Sequence, residues 1–256
     1  MSSRPRRRLR SRRRGVNARA LAAVLVLIAG ICLFSLGARA ITADYETEHR
    51  YERLRDEIRD KALGEAPQQD DEQFKIDSPA VAWLTVDGTP IDYPVAQASE
   101  QDPDYYLSHD LWGEEARVGC PYLDWRCTAD NAHRIIYAHH IGTTQLQFSS
   151  ISDAWKQDRF DQLSGASLIT RNSRETCIPL CALVVDKQFA DIQRFSMSQT
   201  ELQSMLSSLI GRASAINPNA AMLIGGARKA LTLVTCASQQ GGQRERTLLV
   251  FVSLNA

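Results

Sequence analysis

Eight short segments with β-strand character constrain the fold of this chain more than any other feature. Each is rich in apolar and β-branched residues, and turn-forming or polar residues separate them. The segments are residues 81–86, 91–95, 118–123, 134–138, 166–170, 177–185, 231–235 and 247–254. A sheet with this many strands can close on itself and so remove its exposed edges. The sequence therefore predicts a mainly β fold, an eight-stranded barrel.

One helix is predicted in the long connection before the seventh segment. Ser198 and Glu201 have the spacing of a capping box, Met197 can pack on Leu202 across the helix start, and Gly211 provides a stop. Five apolar residues repeat at helical spacing between these signals: Leu202, Met205, Leu206, Leu209 and Ile210. This stripe indicates that one face of the helix packs on a core.

A second helix is predicted over residues 42–63, which are strongly charged. Tyr51, Leu54 and Ile58 form a modest apolar stripe, and Gly64 follows as a stop. The stripe favours packing against the β domain, although a solvated stalk has the same composition. Residues 68–73 are polar and are interpreted as a short linker.

The first 40 residues differ sharply in charge from the rest. They contain ten arginines and no acid, and because the whole chain has zero net charge, residues 41–256 carry about −10. Nine of these arginines precede an uncharged, mostly apolar run at residues 20–37. A run of this length can just span a bilayer, and flanking arginines favour the cytoplasmic side. We expect a single transmembrane helix in the cell membrane, with residues 1–19 in the cytoplasm.

Two other interpretations of this segment stay open. The sequence Ala38-Arg39-Ala40 has the small-x-small form of a signal-peptide cleavage site, but the apolar run is longer than a typical signal core. A basic tail that binds nucleic acid is disfavoured because a membrane-length apolar run follows it at once. With a retained anchor, residues 38–76 form an extracellular helix and linker, and residues 77–256 form the exported domain.

A cysteine at the end of the seventh strand segment is the first candidate for chemistry. The apolar alternation stops at Cys236, and the residues that follow are polar and rich in glycine. A thiol at a strand end is held firmly yet can reach a substrate carbonyl. On its own this cysteine is better explained as a small buried hydrophobe that ends a strand, because free cysteine is among the most buried residue types.

Two further strand ends add the groups that acyl transfer needs. His139 follows the strand segment 134–138, and Arg246 directly precedes the segment 247–254. Together with Cys236 they supply a nucleophile, a proton shuttle and a fixed cation for an oxyanion. Arg244 is a second candidate for the cation, but it lies nearer the glycine pair at 241–242.

Several motifs carry a resemblance to one enzyme family. They are Thr-Leu-Val-Thr-Cys at 232–236, Tyr-Ala-His at 137–139, Trp-Leu-Thr-Val-Asp-Gly-Thr-Pro-Ile-Asp-Tyr-Pro-Val at 83–95, Asp-Tyr-Tyr-Leu-Ser-His at 104–109 and Phe-Ser-Ser-Ile at 148–151. This set resembles class B sortases, including the spacing of ten residues from Cys236 to Arg246. Two departures are visible. Ala138 stands where the family has glycine, which argues against a positive φ there, and Cys120-Pro121 interrupts a strand.

The resemblance implies a membrane-anchored cysteine transpeptidase with the sortase-type barrel. In such an enzyme Cys236 attacks the Thr carbonyl of a C-terminal sorting motif on an exported protein, and Arg246 stabilises the oxyanion. His139 protonates the leaving amine and later deprotonates the acceptor amine of a cell-wall precursor. Thr235 is implied as a substrate-binding residue. No metal or organic cofactor is implied, and the helix before the cysteine strand would wall the substrate groove.

Three alternatives remain at this point. A pilin-polymerising sortase would use a lysine of another subunit as the acceptor. A catalytically idle, anchored barrel that binds peptides would not need the thiol, imidazole and guanidinium together. An ordinary cysteine peptidase would give hydrolysis alone, even with abundant amine.

The remaining cysteines and histidines are assigned structural roles. Four exported thiols other than Cys236 could form two disulfides, although Cys177 and Cys181, roughly 13 Å apart in a strand, are too distant to pair with each other. The four are Cys120, Cys127, Cys177 and Cys181. A zinc site is disfavoured because closely spaced ligand pairs are lacking.

His140 is expected to point away from His139 if strand alternation continues. The other three histidines are interpreted as solvated or structural: His49, His109 and His133.

Overall fold

The computed structural model describes residues 18–64, 79–142, 144–171, 173–237 and 244–254. The polar linker predicted at 68–73 and the glycine pair at 241–242 lie outside these residues. The same holds for the basic residues 1–17 and for the side chain of Ile58.

Eight strands close into a barrel, as the sequence predicts. Around the barrel the strands follow one another in the order β5, β1, β2, β3, β4, β8, β9 and β6, and pairing of β5 with β6 closes the ring. The strands are β1 (Ala82–Val86), β2 (Asp92–Gln97), β3 (Tyr122–Leu123), β4 (His133–Tyr137), β5 (Ala166–Thr170), β6 (Arg174–Asp186), β7 (Ala215–Ile216), β8 (Lys229–Cys236) and β9 (Glu245–Ser253). The pairs β2–β3 and β4–β8 are parallel, and the other neighbours are antiparallel.

Most strand bounds differ from the prediction by one to three residues, and two strands differ more. β3 covers only the last two residues of the predicted segment 118–123, because Gly119 has φ 65° and Pro121 has no N–H to donate. The carbonyl of Pro121 still accepts a hydrogen bond from Ala96 N at 2.8 Å, which leads the chain into the strand. β7 was not predicted. It has two residues, pairs with the outer part of β6 and lies outside the closed ring.

The strands separate two hydrophobic clusters. Alternate residues of β8 belong to different clusters: Leu231 and Leu233 pack with the barrel interior, whereas Ala230 and Val234 pack with the helices on the outside. Because both faces are covered, every residue of β8 except the two at its ends is buried. Cys236 continues the alternation on the outer face.

Helix α1 (Ala18–Gly64) joins two segments that were predicted separately. No proline or glycine between Ala38 and Leu63 interrupts it, so the apolar and charged stretches form one helix. The structure divides into two units, one ending at Ala43 and the other covering Asp44–Ala256. In the first unit the described side chains are exposed and mostly apolar. By length and composition this is a candidate membrane-crossing helix, and the candidate stretch begins at Leu21.

The second unit includes the end of α1, which packs on the barrel as its stripe predicts. Tyr51 and Leu54 are buried in the interior cluster. The Tyr51 hydroxyl donates to Gly119 O at 2.9 Å, and Arg50 pairs with the buried carboxylate of Asp110 at 2.8 Å. The interpretation as a plain solvated stalk is therefore wrong.

The predicted capping box is confirmed at helix α3 (Gln199–Ile210). The Ser198 side chain accepts from Glu201 N, and the Glu201 carboxylate accepts from Ser198 N at 2.8 Å. Four residues of the predicted stripe are buried in the outer cluster: Leu202, Met205, Leu206 and Leu209. Two shorter helices, α2 (Gln157–Phe160) and α4 (Ala220–Gly226), lie elsewhere in the connections.

Candidate active site

A cleft of about 510 Å³ lies at the end of the barrel where β4 and β8 finish. Cys236, His139 and Arg246 all line it, so the structure brings the three predicted residues together. β4 and β8 run parallel with Tyr137 opposite Val234. Because parallel strands end at the same edge, the residues that follow Tyr137 lie beside the end of β8.

Cys236 is the last residue of β8 and is half-buried. β9 pairs with β8 along its whole length, and Arg246 is the residue directly opposite Cys236. The strand therefore holds the thiol at a fixed point while leaving one side open to the cleft.

The other cysteines are in different surroundings. Four are deeply buried in the described part of the second unit, and none of them is bonded to another cysteine: Cys120, Cys127, Cys177 and Cys181. The disulfides considered from the sequence are thus not formed. Burial raises the pKa of the Cys120 and Cys181 thiols to about 12, and that of Cys127 and Cys177 to about 11. These thiols are poor nucleophiles at neutral pH.

A backbone carbonyl from another part of the chain orients His139. Its Nε2 lies 2.7 Å from Leu107 O, at the end of the short 3₁₀ helix Tyr105–Leu107. A carbonyl oxygen only accepts, so Nε2 carries the proton in this hydrogen bond. In the neutral imidazole Nδ1 then holds the lone pair and is the nitrogen that can take up a proton. Apart from the motif around Leu107, no sequence feature predicts this contact.

Arg246, and not Arg244, lines the cleft. Arg246 is the second residue of β9 and its Nη1 donates to Glu245 O at 3.0 Å. Arg244 lies before the strand, is exposed, and its Nε is 3.2 Å from Asp186 Oδ2. The choice of Arg246 as the cleft cation agrees with this placement.

Thr235 and His140 both line the cleft. Thr235 is 2% exposed and shares the face of Leu231 and Leu233, so it lies at the buried floor of the cleft next to Cys236, and its role as a substrate-binding residue stays a prediction. His140 was expected to point away, and this is wrong: it lines the cleft, with Nδ1 at 3.1 Å from Cys236 O. β4 ends at Tyr137, so strand alternation does not extend to His140.

The other histidines within the described residues have structural contacts. His133 is fully buried in β4, with Nδ1 at 2.9 Å from Arg194 O and Nε2 at 2.8 Å from Thr232 Oγ1. Burial lowers its pKa to about 4. His109 stacks on Tyr105 at 3.9 Å between ring centroids, and His49 pairs with Glu52.

One wall of the cleft comes from the connection between β6 and α3. Phe189, Ile192 and Gln193 line it, together with the end of β6. No α3 residue is among the lining residues, so the expectation that this helix walls the groove is wrong. The apolar stripe of α3 is buried against the outer cluster instead.

An ion pair that the sequence does not predict connects this wall to the residues just after β3. Both carboxylate oxygens of Asp124 accept from Arg126, at 2.8 and 2.7 Å, and Arg126 Nη1 donates to Gln193 Oε1 at 2.8 Å. Burial alone would raise the pKa of Asp124. Hydrogen bonds from Arg126 and Tyr137 and the Arg126 charge outweigh burial and hold that pKa below its usual range. The Asp-x-Arg spacing was visible in the sequence, but it gave no indication of the partner Gln193.

Within the described ranges no group of three or more His, Cys, Asp or Glu side chains is arranged to hold a metal ion.

Comparison with known proteins places this geometry in context. No family model matches the chain. Two curated proteins named Sortase B are similar: that of Listeria monocytogenes is 36% identical over 107 residues, and that of Staphylococcus aureus is 31% identical over 90 residues. The matched stretches cover 41% and 34% of this chain. They span 38% and 36% of the length of these relatives.

Solved structures give a match over most of the chain. A Staphylococcus aureus sortase B–substrate complex superposes with a TM-score of 0.69 at 21% identity, over 84% of this chain and 99% of the other. A Bacillus anthracis sortase B structure gives a TM-score of 0.67 at 24% identity, over 83% and 97%. The resemblance inferred from the sequence is thereby confirmed, and the chain has the fold of class B sortases.

Proposed function

We propose that this protein is a cysteine transpeptidase of the sortase type, which cleaves a C-terminal sorting motif on exported proteins and joins the product to an amine. The observation that carries the proposal is the meeting of Cys236, His139 and Arg246 in one cleft of a class B sortase fold. The similarity to the two Sortase B proteins supports it.

In the proposed reaction Cys236 reacts as the thiolate, with its proton held on Nδ1 of His139, and the sulfur forms a bond to the carbonyl carbon of the scissile Thr as the carbonyl π electrons move to the oxygen. The oxyanion that develops is stabilised by Arg246, whose guanidinium is held on β9 opposite the thiol. As the tetrahedral intermediate collapses, the C–N bond breaks and His139 gives a proton to the leaving amine. A thioacyl enzyme remains.

The second half of the reaction reverses these roles. An acceptor amine attacks the thioester while His139 removes its proton, the C–S bond breaks and the Cys236 thiolate is regenerated. The bond from His139 Nε2 to Leu107 O leaves Nδ1 to carry the proton in both halves. The amine of a cell-wall precursor is the proposed acceptor.

We further propose that residues 20–37 are retained as a membrane anchor, with residues 1–19 in the cytoplasm and the domain of residues 77–256 outside the cell. The arginine bias and the exposed apolar side chains from Leu21 onward support this topology. Protein that sediments with membranes, resists carbonate extraction and is open to external protease would agree with it. A mature N-terminus at Ile41 would instead establish cleavage after Ala40.

The experiment that tests the activity separates transfer from hydrolysis. The purified full-length protein is incubated with peptides of varied C-terminal sorting sequence and an amine acceptor, and the products are identified by mass spectrometry. A transpeptidase gives the amide product in proportion to acceptor, and Cys236→Ala gives none. Hydrolysed peptide alone, at saturating amine, would support a peptidase. Binding with no product from any peptide would support an idle peptide-binding barrel.

A further inference from the structure

We propose that Tyr93 and Glu48 are positioning residues, which hold the loop carrying His139 and His140 in place from helix α1. The loop in question is residues 138–142 and 144–149, called here the histidine loop. The catalytic consequence rests on the proposed function, whereas the tether itself is a property of the fold that can be measured without substrate.

The tether consists of the Tyr93 hydroxyl, which contacts two different elements. Tyr93 lies on β2 and is 3% exposed. Its hydroxyl donates to Glu48 Oε2 on α1 at 3.1 Å and accepts from the backbone N–H of Gln147 at 3.3 Å. A phenol can donate one hydrogen bond and accept others, so both contacts are compatible. One buried side chain thus links helix α1 to the histidine loop.

Gln147 is held in a conformation that needs such support. Its φ is 53°, and it is the one non-glycine residue with positive φ among those described. It is also fully buried, and neither atom of its side-chain amide has a hydrogen-bond partner within the described part of the chain. Left-handed backbone conformations are unfavourable for residues with a Cβ and persist where surrounding contacts fix them. The bond from Gln147 N–H to Tyr93 is one of those contacts.

Gln147 is connected to the reacting groups over a short path. It forms a β-bridge with His140, whose Nδ1 lies 3.1 Å from Cys236 O. The next residue, Phe148, donates from its N–H to His139 O at 3.0 Å. Movement of Gln147 would therefore shift the backbone of His139 and the end of β8.

The carboxyl group of Glu48 gives the tether a dependence on pH. Burial raises the pKa of Glu48 to about 7, although the hydrogen bond from Tyr93 and the nearby Arg55 lower it. The other acidic groups that face it, Glu52 and Asp44, raise it further. An ionised acceptor makes a stronger hydrogen bond than a neutral one. The bond to Tyr93 should therefore strengthen as the pH rises through about 7.

The test compares Tyr93→Phe with Tyr51→Phe in the full-length protein. Tyr51 is a matched control because it is a buried tyrosine of the same helix interface, and its hydroxyl bonds Gly119 O and Leu111 N instead of the histidine loop. The first readout is amide hydrogen exchange, corrected for the intrinsic rate at each pH. We expect the amides of Gln147 and Phe148 to exchange at least tenfold faster in Tyr93→Phe and to be unchanged in Tyr51→Phe.

The second readout is the kinetics of transfer with a model sorting peptide. Because misplaced reacting groups slow the chemical step, kcat should fall roughly 10- to 100-fold in Tyr93→Phe with KM little changed. Tyr51→Phe should retain kcat within about threefold, since its hydroxyl does not hold the loop. In the wild type the corrected exchange rate of the Gln147 amide should fall as the pH rises through about 7, because Glu48 ionises. Glu48→Gln keeps an acceptor for the Tyr93 hydroxyl but does not titrate, so this fall should disappear in the variant.

Three results would overturn the proposal. Unchanged exchange at Gln147 in Tyr93→Phe would show that no tether exists. Faster exchange with an unchanged kcat would show that the tether does not position the reacting groups. An equal loss of kcat in Tyr93→Phe and Tyr51→Phe would show that any lost hydroxyl at this interface lowers activity by destabilising the protein, and not by releasing the histidine loop. Absence of transfer by the wild-type protein would contradict the proposed function instead, while the exchange data would still decide the tether.

Discussion

Cys236 and Arg246 occupy directly opposed positions on β8 and β9. Opposed residues of an antiparallel pair project from the same face, so both side chains start from the same face of the sheet, and both line the cleft. The pairing of two long strands fixes this relationship.

The register of these strands predicts which arginine matters. Arg246→Ala should lower kcat/KM by ~100- to 1,000-fold, equivalent to about 2.7–4 kcal/mol, because a preorganised oxyanion donor is lost. Arg246→Lys should recover little of the lost kcat/KM, since the point charge of lysine does not reproduce the planar, two-donor guanidinium group. Arg244→Ala is the control and should be near normal, because Arg244 is exposed and pairs with Asp186. If Arg244→Ala proves to be the crippled variant, the assignment of Arg246 fails.

The difference in burial among the cysteines predicts selective modification. A membrane-impermeant maleimide applied to the native protein should label Cys236 and leave the four buried thiols unmodified, as judged by peptide mapping. Cys236→Ser should remove the label from the second unit, and Cys32, which is exposed in the first unit, is mapped separately. After unfolding in denaturant all the thiols should react. Labelling of Cys120 or Cys177 at the same rate as Cys236 in native protein would contradict the described burial.

The position of α3 away from the cleft predicts that its stability and the activity are separable. Ser198→Ala removes the capping-box acceptor and should lower the free energy of unfolding by about 1 kcal/mol. The kcat and KM should stay within twofold of the wild type at temperatures where both proteins are folded. If KM for the sorting peptide changes while the variant is as fully folded as the wild type, α3 contributes to the substrate groove.

Buried His133 predicts a loss of stability in acid. Its folded-state pKa of about 4 lies below the ordinary value of 6.5, so its contribution is present above pH 6.5 and is lost as the pH falls towards 4. Between pH 7 and pH 5 this loss amounts to about 2 kcal/mol. His133→Gln retains a donor and an acceptor but does not titrate. Denaturant unfolding at both pH values should show the wild type losing about 2 kcal/mol more than the variant; equal losses would count against this account.

The barrel and the three cleft residues could be predicted because their signals are local. Each strand has a β pattern, and Cys236, His139 and Arg246 each stand at the end of one. The contact of His139 with Leu107 could not be predicted, because it joins residues 32 positions apart through a backbone carbonyl that leaves no mark in the sequence. His140 was misplaced because strand alternation was extended beyond Tyr137, where β4 ends.

The helices show the same limit. The capping box and stripe of α3 predict its bounds and its buried face, but a stripe does not say which surface it meets. Packing on the outer cluster, not on the cleft, follows from the three-dimensional arrangement of β6, β8 and β9. β7 has two residues and is formed by pairing with β6, so no local pattern marks it.

The most direct test of the central claim is the mass of the intact protein during turnover. The full-length protein is mixed with a sorting peptide that it cleaves, without added amine, and is quenched in acid within the first turnovers. The account predicts a mass increase equal to the acyl part of the peptide, mapped to Cys236, removed by added amine and absent in Cys236→Ala. Turnover without an adduct on Cys236, or an adduct on another residue, would contradict it.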